Sequence, residues 1–296
     1  MEKLIRKVIK IMKLKVRDMD SVPESYSSKV CSLVLENGEK VILKIPYNKK
    51  KLLKEYKMLK LLEGKLPTPR ILDFWEGNDE ISGALILSYI DGKPITNNIG
   101  NKIAYQMGEL LARLHDINIE RNELGKAYEL IYTEEDKWWE IIREWFEGCI
   151  DDCKNILNTK LIDECIKLFD LYYKDLPKPD YPSIVHMDYR PGNILIKDSN
   201  IVGLLDFETV RIGSADVDFS KIKLFVWDLY PGSRKSFLLG YSNIRSLPDI
   251  ERTLPFYQLF NTFTGVGWCV KRGKTNDSFC NQNIIKLEKI IKESRI

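Results

Sequence analysis

Two β-branched runs, VCSLVL at 30–35 and VILKIP at 41–46, flank Glu36-Asn37-Gly38. Asn-Gly between such runs predicts a hairpin, because both residues accept the left-handed backbone of a tight turn. Downstream, KKLLKEYKMLKLLEG repeats apolar residues at three- and four-residue intervals and stops at Gly64 and Pro67, the pattern of an amphipathic helix. RILDFWEG and GALILSYIDG predict two more strands. The order strand, strand, helix, strand, strand describes a small mixed lobe ending near Asp91-Gly92.

The period then changes. NKIAYQMGELLARLHDI puts Ile103, Met107, Leu110 and Leu114 on one helical stripe, and further helices are expected over 134–150 and 159–174. PKPDYPS interrupts them. NILIKDSNIVGLLDF predicts a second hairpin turning at Lys197 to Asn200, and the chain from Val217 onward reads as mainly helical. The expected class is α+β with two lobes: a smaller lobe over 1–90 containing a small mixed β-sheet, and a larger, mostly helical lobe over 91–296. A short connector near 88–95 joins them. At the N-terminus, Leu4, Ile5, Val8, Ile9 and Met12 recur at helical spacing, which predicts a surface helix, with a membrane-surface role as the lesser alternative.

Composition narrows this picture. The chain of 296 residues is 44% hydrophobic and 30% charged, the balance of a folded protein with a sizeable core. A net charge of +3 gives no argument for nucleic acid. Residues 1–90 hold 18 Lys+Arg against 12 Asp+Glu, and residues 91–296 hold 28 against 31, so the first lobe favours anions. No apolar run is long enough to span a bilayer. Six cysteines without a C-x-x-C pair, beside only two histidines, predict free thiols in a cytoplasmic protein.

Two residues of the first lobe break the apolar pattern. Lys44 lies between Leu43 and Ile45 in a strand, and Glu55 falls on the apolar helix stripe with Leu52, Tyr56, Leu59 and Leu62. A carboxylate on a buried face is costly unless paired. Lys44 and Glu55 satisfy each other if both point inward, leaving the ammonium to meet a nucleotide's phosphates. A lysine on the solvent face is the alternative.

The second lobe holds the reactive pattern VHMDYRPGNILI. His186, Asp188 and Asn193 form H-x-D-x-x-x-x-N, the spacing of a kinase catalytic loop. The Pro191-Gly192 turn lets the aspartate reach an attacking hydroxyl while the asparagine turns back toward a magnesium ion. Asp206 ends the following hairpin strand. Asn193 and Asp206 supply the hard oxygens that Mg2+ prefers. Asp188 is the expected catalytic base, and His186 is expected to shape the loop.

The chain resembles the aminoglycoside phosphotransferase and choline-kinase-type enzymes, whose fold is protein-kinase-like. The resemblance rests on LEGKLPTPRIL, LILSYIDGKPI, MGELLARLHDI, IVHMDYRPGNILI, GLLDFE and IGSADVDFS. It implies that Lys44 contacts the α- and β-phosphates of ATP or GTP. It also implies that Ser88 and Ile90 offer backbone groups to the base, and that Asp218 braces the catalytic loop. The segment expected to cover the phosphates, SVPESYSSKV, contains no glycine, so Ser25, Ser27 and Ser28 are the available donors. Met187 stands where the family has a small residue. Only eleven residues separate Asp206 from Asp218, too few for a protein-kinase activation segment.

The expected partner is a small-molecule acceptor, cationic, met by a monomer with a dimer left open. Residues 130–155 offer Glu134, Glu135, Asp136, Glu140, Glu144, Glu147, Asp151 and Asp152 beside Trp138, Trp139, Trp145 and Phe146. Acids suit an aminoglycoside, and aromatic faces suit a sugar or quaternary amine. The other reading places the aromatics in a core stripe and the acids in water. Three functions stand open: an antibiotic kinase, a metabolic kinase of choline, homoserine or a ribose derivative, and a non-catalytic nucleotide-binding module.

Overall fold

The computed structural model describes residues 2–21, 28–96, 99–118, 131–132 and 134–294. Strands β1 (Val16–Ser21), β2 (Lys29–Leu35), β3 (Lys40–Ile45), β4 (Ile71–Trp75) and β5 (Ala84–Ser88) form one sheet in the order β1-β2-β3-β5-β4. All its pairings are antiparallel. The β2–β3 turn uses Gly38 at φ 85°, and Asn37 Oδ1 accepts from Glu39 N at 3.0 Å, as Asn-Gly turns do.

Alternation along β3 sends Val41, Leu43 and Ile45 to one face of the sheet, where they pack with Cys31, Leu33, Ala84 and Ile86. Helix α1 (Glu2–Ile11) covers this face with Ile5 and Val8, both buried. The N-terminal stripe is therefore a lid on the sheet, and its apolar face is not free for lipid. No described helix is long and apolar enough to cross a membrane. The opposite face, with Ile42 and Lys44, meets α2 (Lys49–Leu62), whose first turn is capped by Asn48 Oδ1 accepting from Lys51 N at 2.9 Å.

The remainder is mostly helical: α3 (Asn101–His115), α4 (Trp138–Glu147), α5 (Ile150–Cys153), α6 (Thr159–Tyr173), α7 (Val217–Ile222) running into a π-helical turn (Lys223–Trp227), α8 (Ser233–Ser242), α9 (Ile250–Lys271) and α10 (Ser278–Glu293). Short strands carry the cleft. β6 (Lys93–Pro94), β8 (Ile194–Lys197) and β9 (Asn200–Leu204) form one small sheet, while β7 (Ser183–Val185) pairs with β10 (Arg211–Gly213). The architecture is the two-lobed, protein-kinase-like α+β fold. The expected hairpin over 194–204 is present; β1, β7 and β10 have no counterpart in the sequence reading.

Helices α3 and α8 cross with backbones almost touching. A Cβ on Gly108 would lie 2.0 Å from the Phe237 carbonyl oxygen, and one on Gly240 would lie 2.0 Å from that of Tyr105. Neither obstacle is a side chain that can swing away. Gly108→Ala is expected to cost roughly 1–3 kcal/mol by overpacking, seen as a lower calorimetric midpoint. An unchanged midpoint would contradict so close a crossing.

Candidate active site

Lys44 projects from β3 toward α2 because its neighbours Leu43 and Ile45 occupy the other face. Its Nζ lies 2.7 Å from Glu55 Oε2 and 2.8 Å from Asp206 Oδ1, with Glu208 Oε2 at 3.8 Å. Lys44 and Glu55 are 6% and 1% exposed, so this is a buried ion cluster. Burial works against the Lys44 charge, but Asp206, Glu55 and Glu208 together hold its pKa above the ordinary lysine value. Burial pushes the Glu55 carboxyl up against the pull of Lys44, with Asp206 and Glu208 adding repulsion. Asp206 is also penalised by burial, yet Lys44 brings it below the usual range.

Glu208 is a member of this cluster that the sequence reading left without a role. It is buried, accepts from Lys51 Nζ at 2.6 Å and from Ser28 Oγ at 2.5 Å, and has carboxylate oxygens within 4.8 Å of those of Glu55 and Asp206. The available signal was an acid two residues beyond Asp206, straight after an apolar strand. Its partners come from β3, from α2 and from just before β2, too distant in sequence to be matched by spacing.

The catalytic-loop candidates hang on a second buried carboxylate. Asp218, at the start of α7, accepts from His186 N and Met187 N, both at 2.7 Å. His115 supports it, with Nε2 3.2 Å from Asp218 Oδ2 and Nδ1 2.9 Å from Tyr241 OH. Burial lowers the His115 pKa despite Asp218, which favours the neutral ring. Nε2–H then donates to the carboxylate and Nδ1 accepts from the phenol. His186 is buried, with Nε2 2.9 Å from Leu205 O and Nδ1 accepting from Asp188 N at 3.3 Å, so it ties the loop to the strand that delivers Asp206.

Asp188 is fixed from two sides. Arg190 Nε donates to its Oδ2 at 3.0 Å, and Asn193 Nδ2 donates to both its Oδ2 and its carbonyl at 2.9 Å. The Asn193 amide oxygen takes no hydrogen bond among the described residues. Leu205 N donates to Asn193 O at 2.8 Å, which places Asn193 beside the Asp206 segment. Met187 and Asp206 adopt φ 67° and 69°, the left-handed region that side chains with a Cβ seldom enter. Strain of this kind gathers at functional sites. It also accounts for the small residue expected at position 187.

At the connector, Ser88 N donates to Arg70 O and Ser88 Oγ accepts from Arg70 N, each at 2.9 Å, so its backbone N–H is already engaged by the segment leading into β4. Ile90 packs over β9, where its Cδ1 lies 3.1 Å from the Cβ position of Gly203. Ser25 and Ser27 lie outside the described residues. The structure thus gathers Lys44, Glu55 and Asp206 in direct contact, joins Asn193 to Asp188, and keeps Ser88 and Ile90 at and just beyond the C-terminal end of β5.

Five acids of the run near α4 are held in surface ion pairs, while Glu140 and Glu144 are exposed. Glu134 pairs with Lys137, Glu135 with Lys178, Glu147 with Arg143, Asp151 with Lys154 and Asp152 with Lys271. Trp138, Ile142 and Phe146 form a fully buried stripe against Phe169 and Phe263. Those aromatics are core.

The family model described as "Phosphotransferase enzyme family" matches residues 20–256. Among solved structures, the GDP and kanamycin complex of APH(2")-IIia superposes with a TM-score of 0.78 at 15% identity, covering 98% of this chain and 99% of that one. Macrolide 2'-phosphotransferase type I gives 0.70 at 15%, covering 97% and 96%. A thermostable mutant of aminoglycoside phosphotransferase APH(4)-Ia, in ternary complex with AMP-PNP and hygromycin B, gives 0.73 at 13%, covering 98% of each. Identities this low speak for the fold, while the family model spans most of the sequence. The protein belongs to the phosphotransferase enzyme family.

Proposed function

We propose that this phosphotransferase is a small-molecule kinase that moves the γ-phosphoryl group of ATP or GTP onto a hydroxyl of an aminoglycoside-like antibiotic. The observation that carries the reading is the Lys44 ammonium held between Glu55 and Asp206, 2.7 and 2.8 Å away, while Asn193, bonded to the residue before Asp206, also holds an accessible Asp188. Lys44 holds the α- and β-phosphates, Glu55 keeps Lys44 aimed, and Ser88 and Ile90 border the base. Ser27 belongs to the segment over the phosphates. Asp206 and Asn193 would hold Mg2+. Their fit rests on hard oxygen donors and on the Asn193 amide oxygen left without a protein partner. The ion would neutralise charge on the transferring group.

Asp188 orients the acceptor hydroxyl and takes its proton as the oxygen attacks phosphorus in line. Arg190 and Asn193 hold one of its carboxylate oxygens, leaving the other for the acceptor. Kanamycin and hygromycin B in the neighbours' complexes support the antibiotic acceptor. A metabolic alcohol is the second reading, favoured by Glu134, Glu135 and Asp152 being engaged with surface lysines, which leaves fewer acids to meet a polycation. The lobes divide the work: 1–90 takes the nucleotide and 91–296 takes the acceptor, in a cytoplasmic monomer.

A coupled ADP- and GDP-release screen over aminoglycosides, macrolides and small alcohols tests this. Turnover is expected with at least one hydroxyl acceptor and a divalent cation. Nucleotide binding without turnover on any acceptor would leave only the non-catalytic module.

A further inference from the structure

Beside the phosphate-transfer cluster lies a group of cations that the mechanism does not use. Lys54 stands one residue before Glu55 on α2, partly buried, and Arg211 begins β10, paired with Val185 just ahead of the catalytic loop. The Lys51–Glu208 contact seats this turn of α2 over the 206–211 segment, and the charge of Arg211 reaches Lys54. Neither Lys54 nor Arg211 has a carboxylate within ion-pair distance among the described residues.

The geometry of Arg211 is that of a prepared donor. Its guanidinium lies over the Trp145 ring, 4.3 Å from the centroid. Stacking occupies the flat face and leaves the N–H edge free, and no side-chain hydrogen bond of Arg211 occurs among the described residues. A planar fork of this kind matches a carboxylate or phosphate. Burial, with repulsion from Arg211, Lys51 and Lys50, pushes the Lys54 ammonium down to about 7, and burial brings Arg211 down to about 10. Two desolvated cations near enough to repel each other are unfavourable, and an anion bound to both relieves them.

We propose that Lys54 and Arg211 form an anion-binding subsite between α2, β10 and α4, separate from the phosphate position at Lys44, that takes a phosphate monoester or carboxylate. The subsite rests on the kinase reading only for its use. Its ligand is either an anionic group carried by the acceptor or a free phosphate ion.

The test is calorimetric titration of inorganic phosphate into the full chain saturated with Mg2+ and AMP-PNP, so that the nucleotide's own phosphate positions are filled. Wild type is expected to bind, Arg211→Gln to bind at least tenfold more weakly, and Lys60→Gln, an exposed lysine on the same helix, to bind as wild type. No binding by the saturated wild type, or equal binding by Arg211→Gln, overturns the subsite. Steady-state assays with hydroxy acids and sugar phosphates identify the source. A raised KM for an anionic acceptor in Arg211→Gln, with inorganic phosphate competing, assigns the subsite to the acceptor; phosphate binding without competition assigns it to the free ion. If no acceptor is phosphorylated while phosphate still binds, the kinase reading fails and the subsite stands.

Discussion

Asp188→Asn will reduce turnover by about two to four orders of magnitude, the usual contribution of a positioned general base, with nucleotide affinity changed little. The substitution isolates proton transfer from architecture. The amide oxygen still accepts from Arg190 Nε and Asn193 Nδ2, now 3.0 and 2.9 Å from the carboxylate. The loop stays anchored because its brace runs through His186 N and Met187 N to Asp218. What is lost is the ability to take the acceptor's proton. Pre-steady-state and steady-state rates beside a nucleotide titration separate the two, and near-normal turnover in the variant would sink the assignment of Asp188.

Lys44→Met removes the one cation among the described residues that ion-pairs with Glu55, Asp206 and Glu208 alike. Breaking a buried pair on one side costs about 3–5 kcal/mol, and here three carboxylates lose the partner, although Lys51 still holds Glu208. Turnover is expected to fall below detection. Stability will also become pH-dependent in a defined direction. Burial and neighbouring carboxylates already hold the Glu55 pKa above its ordinary value, and loss of Lys44 raises it further. The folded variant therefore binds a proton that the unfolded chain has released. Stability is largest below the ordinary glutamate pKa of 4.5 and is lost as pH rises through the elevated value. The Lys44→Met thermal midpoint, relative to wild type, is expected to be lower at pH 8 than at pH 5.5. Adding Glu55→Gln should recover stability without recovering activity. Equal midpoints for wild type and Lys44→Met at pH 8 would deny that the cluster is buried and coupled.

The residues legible in the sequence were those that contradict their own periodicity. A lysine within VILKIP and a glutamate on a leucine stripe demand partners, and the demand points each at the other. Asp188, Asn193 and Asp206 were legible because one loop and one hairpin fix their separation. β1 was not, because VRDMDS is a charged edge strand with little alternation. β7 and β10, three residues each, exist through one another. The ion pairs of the acids around α4 were not legible, because partners such as Lys178 and Lys271 lie far along the chain. The α1 stripe was visible, but nothing local to it says that a sheet face lies beneath.

Three side chains reach from the sheet's side of the cleft to one short stretch: Lys44 to Asp206, and Lys51 and Ser28 to Glu208. Between them Phe207 is fully buried against the His186 ring, so the stretch cannot swing outward to follow. Separating the sheet from this stretch means breaking three contacts within three consecutive residues, two of them on the one carboxylate of Glu208. Because Lys44, Glu55 and Glu208 are buried, dissolved salt screens these grips little, and raising ionic strength is expected to leave them closed.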